Sequence, residues 1–346
     1  MQHASPFSRR PAVVLLCVFL LCLISLPLSC LPGPAGVAAR DVLAALAAPL
    51  GFGDPVLSET TSLIVLDIRL SRACMALLCG GALATAGVAL QGVLRNPLAD
   101  PFTLGISAGA ACGASIMIAF GAPLALLLGI SAAGLISGGA LLGALLALGG
   151  ALWLGRSGGT FSRESIILGG IAVAAFLGAV VALVKALNEE SVTSIVFWIM
   201  GSLQGRGWND LPLLLATLLP GLCCIACCWR ALDVLGLGDE QAAQTGLAVG
   251  RARLLLLLGA SSMTAGCVAV AGVIGFVGLV APHVLRLRLG VGHGPLLFGA
   301  FFGGGLLLLW ADVAARSLLG GGMEIPVGVV TALIGGPFFA FLVKRR

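Results

Sequence analysis

The residues that could do chemistry in this 346-residue chain are few and fall in short islands. The longest, residues 235–253, reads "LGLGDEQAAQTGLAVGRAR" and carries Asp239 and Glu240 side by side near its centre. Two carboxylates there favour a short helix, because the backbone dipole stabilises negative charge at a helix N-terminus, and Gly246 is placed to stop it. One or two turns of helix are unstable alone in water and persist only if something packs on them. The segment therefore reads either as a solvated connector or as a docking helix for a cytosolic partner. Arg69, Arg72 and Arg316 offer planar forks suited to bidentate carboxylate recognition, or else anchors that snorkel to lipid headgroups. Cys223, Cys224, Cys227 and Cys228 have helical i, i+3, i+4 spacing, which could suggest a metal site. No histidine or carboxylate lies nearby, so they read as apolar helix filling. His283, beside Pro282, could relay protons, but without an acidic neighbour in sequence it reads as a structural or partner-contact group. No G-x-x-x-x-G-K-[ST] or H-E-x-x-H occurs, and the only lysines are Lys185 and Lys344. The chain therefore cannot cradle ATP phosphates in the P-loop manner, and it shows no catalytic constellation.

The elements that must position these residues are membrane helices. The chain is 59% hydrophobic and 10% charged, with 51 glycines and a mean hydropathy of +1.13; soluble domains carry roughly 25% charged residues. No polar block is large enough to fold alone, so residues 1–346 read as one polytopic, all-α membrane domain. The net charge of +5 is set by arginines whose places report orientation and does not point to nucleic acid. The 11 cysteines sit mostly in apolar runs and read as small hydrophobes rather than a disulfide framework. The N-terminal stretch has the charged flank and apolar centre of a signal peptide, yet its run of about 20 apolar residues suffices to span a bilayer. It reads as a retained first helix.

Apolar stretches fall at 12–31, 73–94, 102–120, 124–154, 166–187, 211–229, 254–285, 296–319 and 327–343. The stretch 254–285 is either one long tilted helix or a span, 254–272, followed by a short return, 273–285. Ten crossings with the N-terminus inside put 13 of the 19 basic residues inside, Arg9, Arg10, Arg345 and Arg346 among them. Arg40, Arg69, Arg72, Lys185, Arg206 and Arg316 are left outside. Nine crossings give 9 inside and 10 outside, so the positive-inside rule favours ten. The return is about 20 Å long as a helix, too short for about 30 Å of hydrocarbon. It must be shielded by neighbouring helices, and Gly272, Gly275 and Gly278 would let backbones approach closely. Gly134/Gly138 and Gly139/Gly143 read as packing pairs of the same kind.

Five stretches, "RLSRACMALLCGGALATAGVALQGVLRNPLADPFTLGISAGA" (69–110), "FWIMGSLQG" (197–205), "VAVAGVIGFVGLVAPHVLRL" (268–287), "LLLLWADVAAR" (306–316) and "EIPVGVVTALIGGPFF" (324–339), resemble in order and spacing the FecCD-type permeases of ABC importers. The likeness runs from about residue 63 to 343, the first helix matching only in character. It implies a type II ABC importer permease architecture of about ten helices, homodimers or paired half-subunits around a central path, and both termini cytoplasmic in a bacterial cytoplasmic (inner) membrane. It also implies cytosolic ABC ATPase subunits that hold the ATP and Mg, an extracytoplasmic substrate-binding protein, and no cofactor or catalysis on this chain. The implied cargo is an iron chelate, siderophore or haem, with vitamin B12 (cobalamin) as the alternative.

In similar permeases, "GDEQAAQTG" is the ATPase coupling loop, which assigns that role to Gly238, Asp239, Glu240, Ala242, Ala243 and Gly246 within a cytoplasmic loop at about 230–253. Arginines at the positions of Arg69, Arg72 and Arg316 pair with glutamates of the binding protein, where charge would steer encounter. The path is lined chiefly by the fifth and tenth helices, here about 164–187 and 326–343. The chain departs from the family pattern in three places. "RLSR" replaces R-L-P-R, so that Ser71 is placed to cap the helix. Gly320, Gly321 and Gly322 loosen the turn before Glu324. Gln241 stands where an acid is common. An ion-coupled secondary transporter is the rival reading, but it should show ionisable groups near mid-membrane, and here the acids cluster at expected helix ends.

Overall fold

The structure, a computed structural model, describes residues 11–33, 35–51, 58–157, 160–161, 163–290, 292–319 and 323–344. Arg9, Arg10, Arg345, Arg346 and the turn residues Gly320, Gly321 and Gly322 lie outside the described residues.

The chain is built from helices, as it must be where no water can satisfy backbone groups. In order they are α1 (Pro11–Ser29), α2 (Ala39–Ala47), α3 (Glu59–Leu94), α4 (Ile106–Phe120), α5 (Ala122–Leu128), α6 (Ala132–Gly155) and α7 (Arg163–Leu187). There follow α8 (Val192–Ile199), α9 (Leu211–Leu237), α10 (Asp239–Gln244), α11 (Val249–Ala271), α12 (Val277–Leu289), α13 (His293–Ser317) and α14 (Val327–Lys344). One two-residue antiparallel pairing, Arg156 with Phe161 and Ser157 with Thr160, links α6 to α7.

Nine of the ten expected crossings find a candidate span. Among the described residues, 8 are individually long and apolar enough to cross a membrane, and α4 with α5, bent by 83°, makes a ninth. The tenth, α12, has 13 residues and is the short return. Gly272 (φ +71°) ends α11 and Phe276 (φ +67°) opens α12, so 254–285 is two elements. Val277, Leu279, Val280, Ala281 and Leu285 of α12 are buried, the shielding that its length requires.

Two boundaries differ from expectation. α3 begins at Glu59, where Ser58 caps it by accepting from Thr61 N–H, and it runs through a π-helical stretch, Leu63–Leu70, without a break. Ser71 therefore does not cap a helix: it lies inside one, and its hydroxyl donates back to the Asp67 carbonyl, the usual recourse of a mid-helix serine. The run 124–154 is also interrupted. Gly129 (φ +64°) stops α5 and the Ser131 hydroxyl caps α6 by accepting from Gly134 N–H.

The contact pattern divides the chain into two compact units, both discontinuous in sequence: Met1–Thr85, Leu203–Pro212 and Phe276–Arg346 form the first, and Ala86–Ser202 and Leu213–Gly275 the second. Within the first, α3 and α13 meet through glycine: a β-carbon on Gly80 would stand 2.3 Å from the Gly304 carbonyl oxygen. Phe19 of α1 and Phe302 of α13 stack edge-on at 5.1 Å. Within the second, α4 and α6 meet through Gly109 and Gly113 against Gly143 and Gly139, where added β-carbons would stand 2.3 and 2.0 Å from carbonyl oxygens. Gly139 and Gly143 are thus a packing pair. Gly134 and Gly138 are not, since Gly138 has nothing within 4 Å and Gly134 meets only the Ser131 and Ile130 side chains of its own loop.

Candidate functional site

The first charged cluster belongs to the first unit. The π-wound entry of α3 presents Arg69 and Arg72 one turn apart, and α13 presents Asp312 and Arg316 four residues apart. Arg72 grips Asp312 from one edge of its guanidinium: Nε donates to both carboxylate oxygens at 3.1 and 3.0 Å and Nη2 to Oδ1 at 2.9 Å. From the other edge Nη1 donates to Glu324 Oε2 at 2.8 Å. Arg316 Nε lies 3.7 Å from Asp312 Oδ2. An i, i+4 helical pair at 312 and 316 is therefore present, within a larger network.

Arg69 and Arg316 also close the exit of α1. Arg69 Nη1 donates to the carbonyls of Cys30 and Leu31 at 2.9 and 3.0 Å. Arg316 donates to Pro32 at 3.1 Å and to Ser29. Four consecutive carbonyls, that of the last helical residue and the three beyond it, which have no intrahelical donors, are thereby satisfied by two guanidinium groups. The fit is close, for a β-carbon on Gly33 would stand 2.8 Å from the Arg69 guanidinium carbon.

These arginines are not the exposed forks expected from the sequence. Arg69, Arg72 and Arg316 are 4, 7 and 6% exposed, and Asp312 is 1% exposed. The reason is that a lone carboxylate within an apolar helix is stable only when paired: Asp312 draws Arg72 and Arg316 inward, while Arg69 is buried against the Cys30 and Leu31 carbonyls. Arg72 also lines a cavity of about 370 Å³ with Asp67, Arg206, Trp208, Asn209 and Asp210. There Arg206 Nη1 meets Asp210 Oδ1 at 3.3 Å, and Trp208 Nε1 donates to the Leu66 carbonyl at 3.2 Å.

The second cluster belongs to the second unit and surrounds Asp239, in the segment expected to couple to an ATPase. Gly238 takes φ +131°, a conformation that favours glycine, and α10 begins at the next residue. Asp239 and Glu240 occupy its first turn as expected. What packs on so short a helix is one side chain: Ala242 is fully buried, while Glu240, Gln241, Ala243 and Gly246 are exposed. Gly246 (φ +84°) ends the turn, its N–H donating to the Ala243 carbonyl at 2.9 Å.

Three arginines hold the segment. Asp239 accepts from Arg163 at the start of α7 and, at 2.8 Å, from Arg253 in α11. Arg95 at the end of α3 donates Nε and Nη2 to the Leu235 and Gly236 carbonyls, each at 2.8 Å, which places a cation on the C-terminal dipole of α9. Partial burial pushes the Asp239 carboxyl up, but the hydrogen bonds and charges of Arg253 and Arg163 outweigh it and hold the group below its ordinary value. A groove of about 510 Å³ lies beside it, between Arg163, Glu164 and residues 237–241.

The sequence drew attention to neither Glu324 nor Arg95, Arg163 and Arg253 as functional groups. For Asp312 a signal existed: it is the one acid in the 25-residue helix α13, and an intramembrane carboxylate implies a partner. His283 packs edge-on to Phe338 at 5.6 Å, in keeping with a structural role. The 11 cysteines are free thiols, and among the described residues no group of three or more His, Cys, Asp or Glu is arranged to hold a metal ion. The expected path helices, α7 and α14, present exposed apolar faces that include Phe176, Leu183, Leu333 and Phe341.

The model of the FecCD transport family matches residues 19–345. The hemin transport system permease protein HmuU of Yersinia pestis is 41% identical over 287 residues, 82% of this chain and 84% of that protein. The cobalamin import system permease protein BtuC of Halobacterium salinarum is 39% identical over 302 residues, 87% and 78% of the two chains. A solved metal-chelate type ABC transporter in an inward-facing conformation superposes with a TM-score of 0.81 at 30% identity, covering 96% of this chain and 99% of that one.

Proposed function

Because the chain belongs to the FecCD transport family, whose members are ABC importer permeases, we propose that it forms the path by which an iron chelate, a siderophore complex or haem, crosses a bacterial cytoplasmic membrane. The observation that carries this reading is the family match over residues 19–345. ATP hydrolysis occurs on a partner subunit that docks at α10. Ala242 seats the helix, Gly238 and Gly246 bound it, and Glu240 and Ala243 are exposed for contact. Asp239 passes movement to α7 through Arg163 and to α11 through Arg253. Two copies of the chain enclose the path, with the apolar faces of α7 and α14 toward it, and both termini are cytoplasmic.

The substrate-binding protein docks on the face that carries Arg69, Arg72 and Arg316. Arg69 and Arg316 hold that face together through the carbonyls of residues 29–32, and Arg72 is the arginine that a partner's carboxylate reaches. Cobalamin is the second reading for the cargo, favoured by the 39% identity to a cobalamin permease.

The test is uptake into proteoliposomes that contain the permease and its ATPase, with haemin, a ferric hydroxamate siderophore and cobalamin each presented on the binding protein. ATP-dependent uptake of an iron chelate is expected. Uptake of cobalamin alone would replace the cargo assignment, and uptake driven by an ion gradient without the ATPase would overturn the mechanism.

A further inference from the structure

Arg72 has two carboxylate partners of unequal character. Asp312 takes the Nε/Nη2 edge, and its side chain is 1% exposed on the apolar helix α13. Glu324 takes Nη1 alone; its side chain is 12% exposed and stands on the connection between α13 and α14, next to the exposed Met323. Asp312 cannot leave without abandoning a buried cation, a loss that is strongly destabilising. Glu324 can leave if another carboxylate takes its place, because the exchange keeps three arginines facing two acids.

A route for such a carboxylate exists. Arg72 lines the cavity of about 370 Å³ described above, and a second cation, Arg206, stands on the same wall. Among the described residues, the ion pair of Arg206 is with Asp210 at 3.3 Å, an i, i+4 pair whose side chains are 18 and 20% exposed. At 3.3 Å the contact is long for a charge-assisted hydrogen bond, so the pair can exchange for a better-placed carboxylate. Of the two arginines that line this cavity, Arg206 is thus the more accessible and Arg72 the deeper.

We propose that Glu324 is an internal stand-in for a partner's carboxylate: an acidic side chain of the docking protein enters the cavity past Arg206 and displaces Glu324 from Arg72. The inference rests on the docking reading above. Arg206 steers the acid in, which acts on the association rate. Glu324 competes with it, so the permease with Glu324 engaged is the less receptive form, and apparent affinity is reduced by the fraction so occupied.

The test uses the permease–ATPase complex in nanodiscs and the substrate-binding protein of the same transport system, immobilised, with binding kinetics read at low salt. Removing the competitor with Glu324→Gln is expected to tighten binding about fivefold. Arg206→Gln, which leaves the buried cluster intact, is expected to slow association by roughly 3- to 10-fold and to flatten its salt dependence. Thermal melting of each variant checks that the fold is kept. Should Glu324→Gln melt early, Glu324→Asp, which keeps the charge but shortens its reach, is expected to tighten binding in the same direction. Folded Glu324 variants that bind as the parent does, or more weakly, would overturn the stand-in role while leaving the docking reading in place. A binding protein that fails to bind even the parent complex would remove the docking reading itself.

Discussion

Two charged clusters carry the functional reading, and they are built on opposite plans. At Asp312 the carboxylate is sealed, 1% exposed, and three arginines fold inward around it and around the carbonyls of residues 29–32. At Asp239 the carboxylate side chain is 45% exposed, and the arginines come to it from α7 and α11. Sequence alone gives both the same look, arginine near acid in an apolar chain. The difference is solvent. A pair sealed on both sides holds architecture because breaking it strands a charge, whereas at Asp239 only the arginine side is buried, Arg253 being 4% exposed, and the open carboxylate can yield to a partner more readily.

The comparison breaks most easily at Asp312. Asp312→Asn leaves Arg72 and Arg316 without their shared counter-ion and is expected to cost about 3–5 kcal/mol, read as a large fall in melting temperature in detergent. Retention of the parent melting temperature would mean the pair is not sealed. Gly33→Ala is next. Its methyl group would press on the Arg69 guanidinium, and overpacking of this kind costs about 1–3 kcal/mol. Loss of the clamp on the exit of α1 should show as faster proteolysis in the segment 29–33.

Asp239→Asn should cost about 1–3 kcal/mol, less than Asp312→Asn because Asp239 itself is exposed, but not nothing because its partner Arg253 is only 4% exposed, and it should lower ATP-driven transport about tenfold with the partner's ATPase still active. Its carboxyl is held below the ordinary value by Arg253 and Arg163 against burial. The contribution is therefore complete above the unfolded value near 3.8 and is lost as pH falls through the lower folded value. Between pH 5 and 8 the difference between parent and variant should stay constant. The smallest effect belongs to Glu240→Gln. That exposed residue has no ion pair among the described residues, so melting should shift by no more than about 0.5 kcal/mol, and only coupling to the ATPase should weaken.

Much of the fold was legible because membrane helices announce themselves through length and charge. The split of 254–285 followed from loop arginines, and Gly272 and Phe276 supply the break. The short helix at Asp239 was legible too: its acids and its glycine stop follow from local rules, whereas the burial of Ala242 rather than Ala243 did not. The arginine cluster was not, because the partner that buries Arg72 lies 240 residues away, and carbonyls at 29–32 leave no mark in a side-chain pattern. Ser71 misled for a related reason. A serine before an apolar run looks like a cap, but the π-wound stretch Leu63–Leu70 extends the helix past it. Glycine spacing gave half an answer, since Gly139 and Gly143 pack against α4 while Gly138 faces open space.

The most direct measurement is photo-crosslinking from position 243, an exposed residue of α10, in the assembled, transporting complex. A photoreactive side chain in place of Ala243 should yield an adduct with the ATPase subunit, and its yield should change when ATP is bound. A transporting complex in which position 243 captures only lipid, or nothing, would contradict the account.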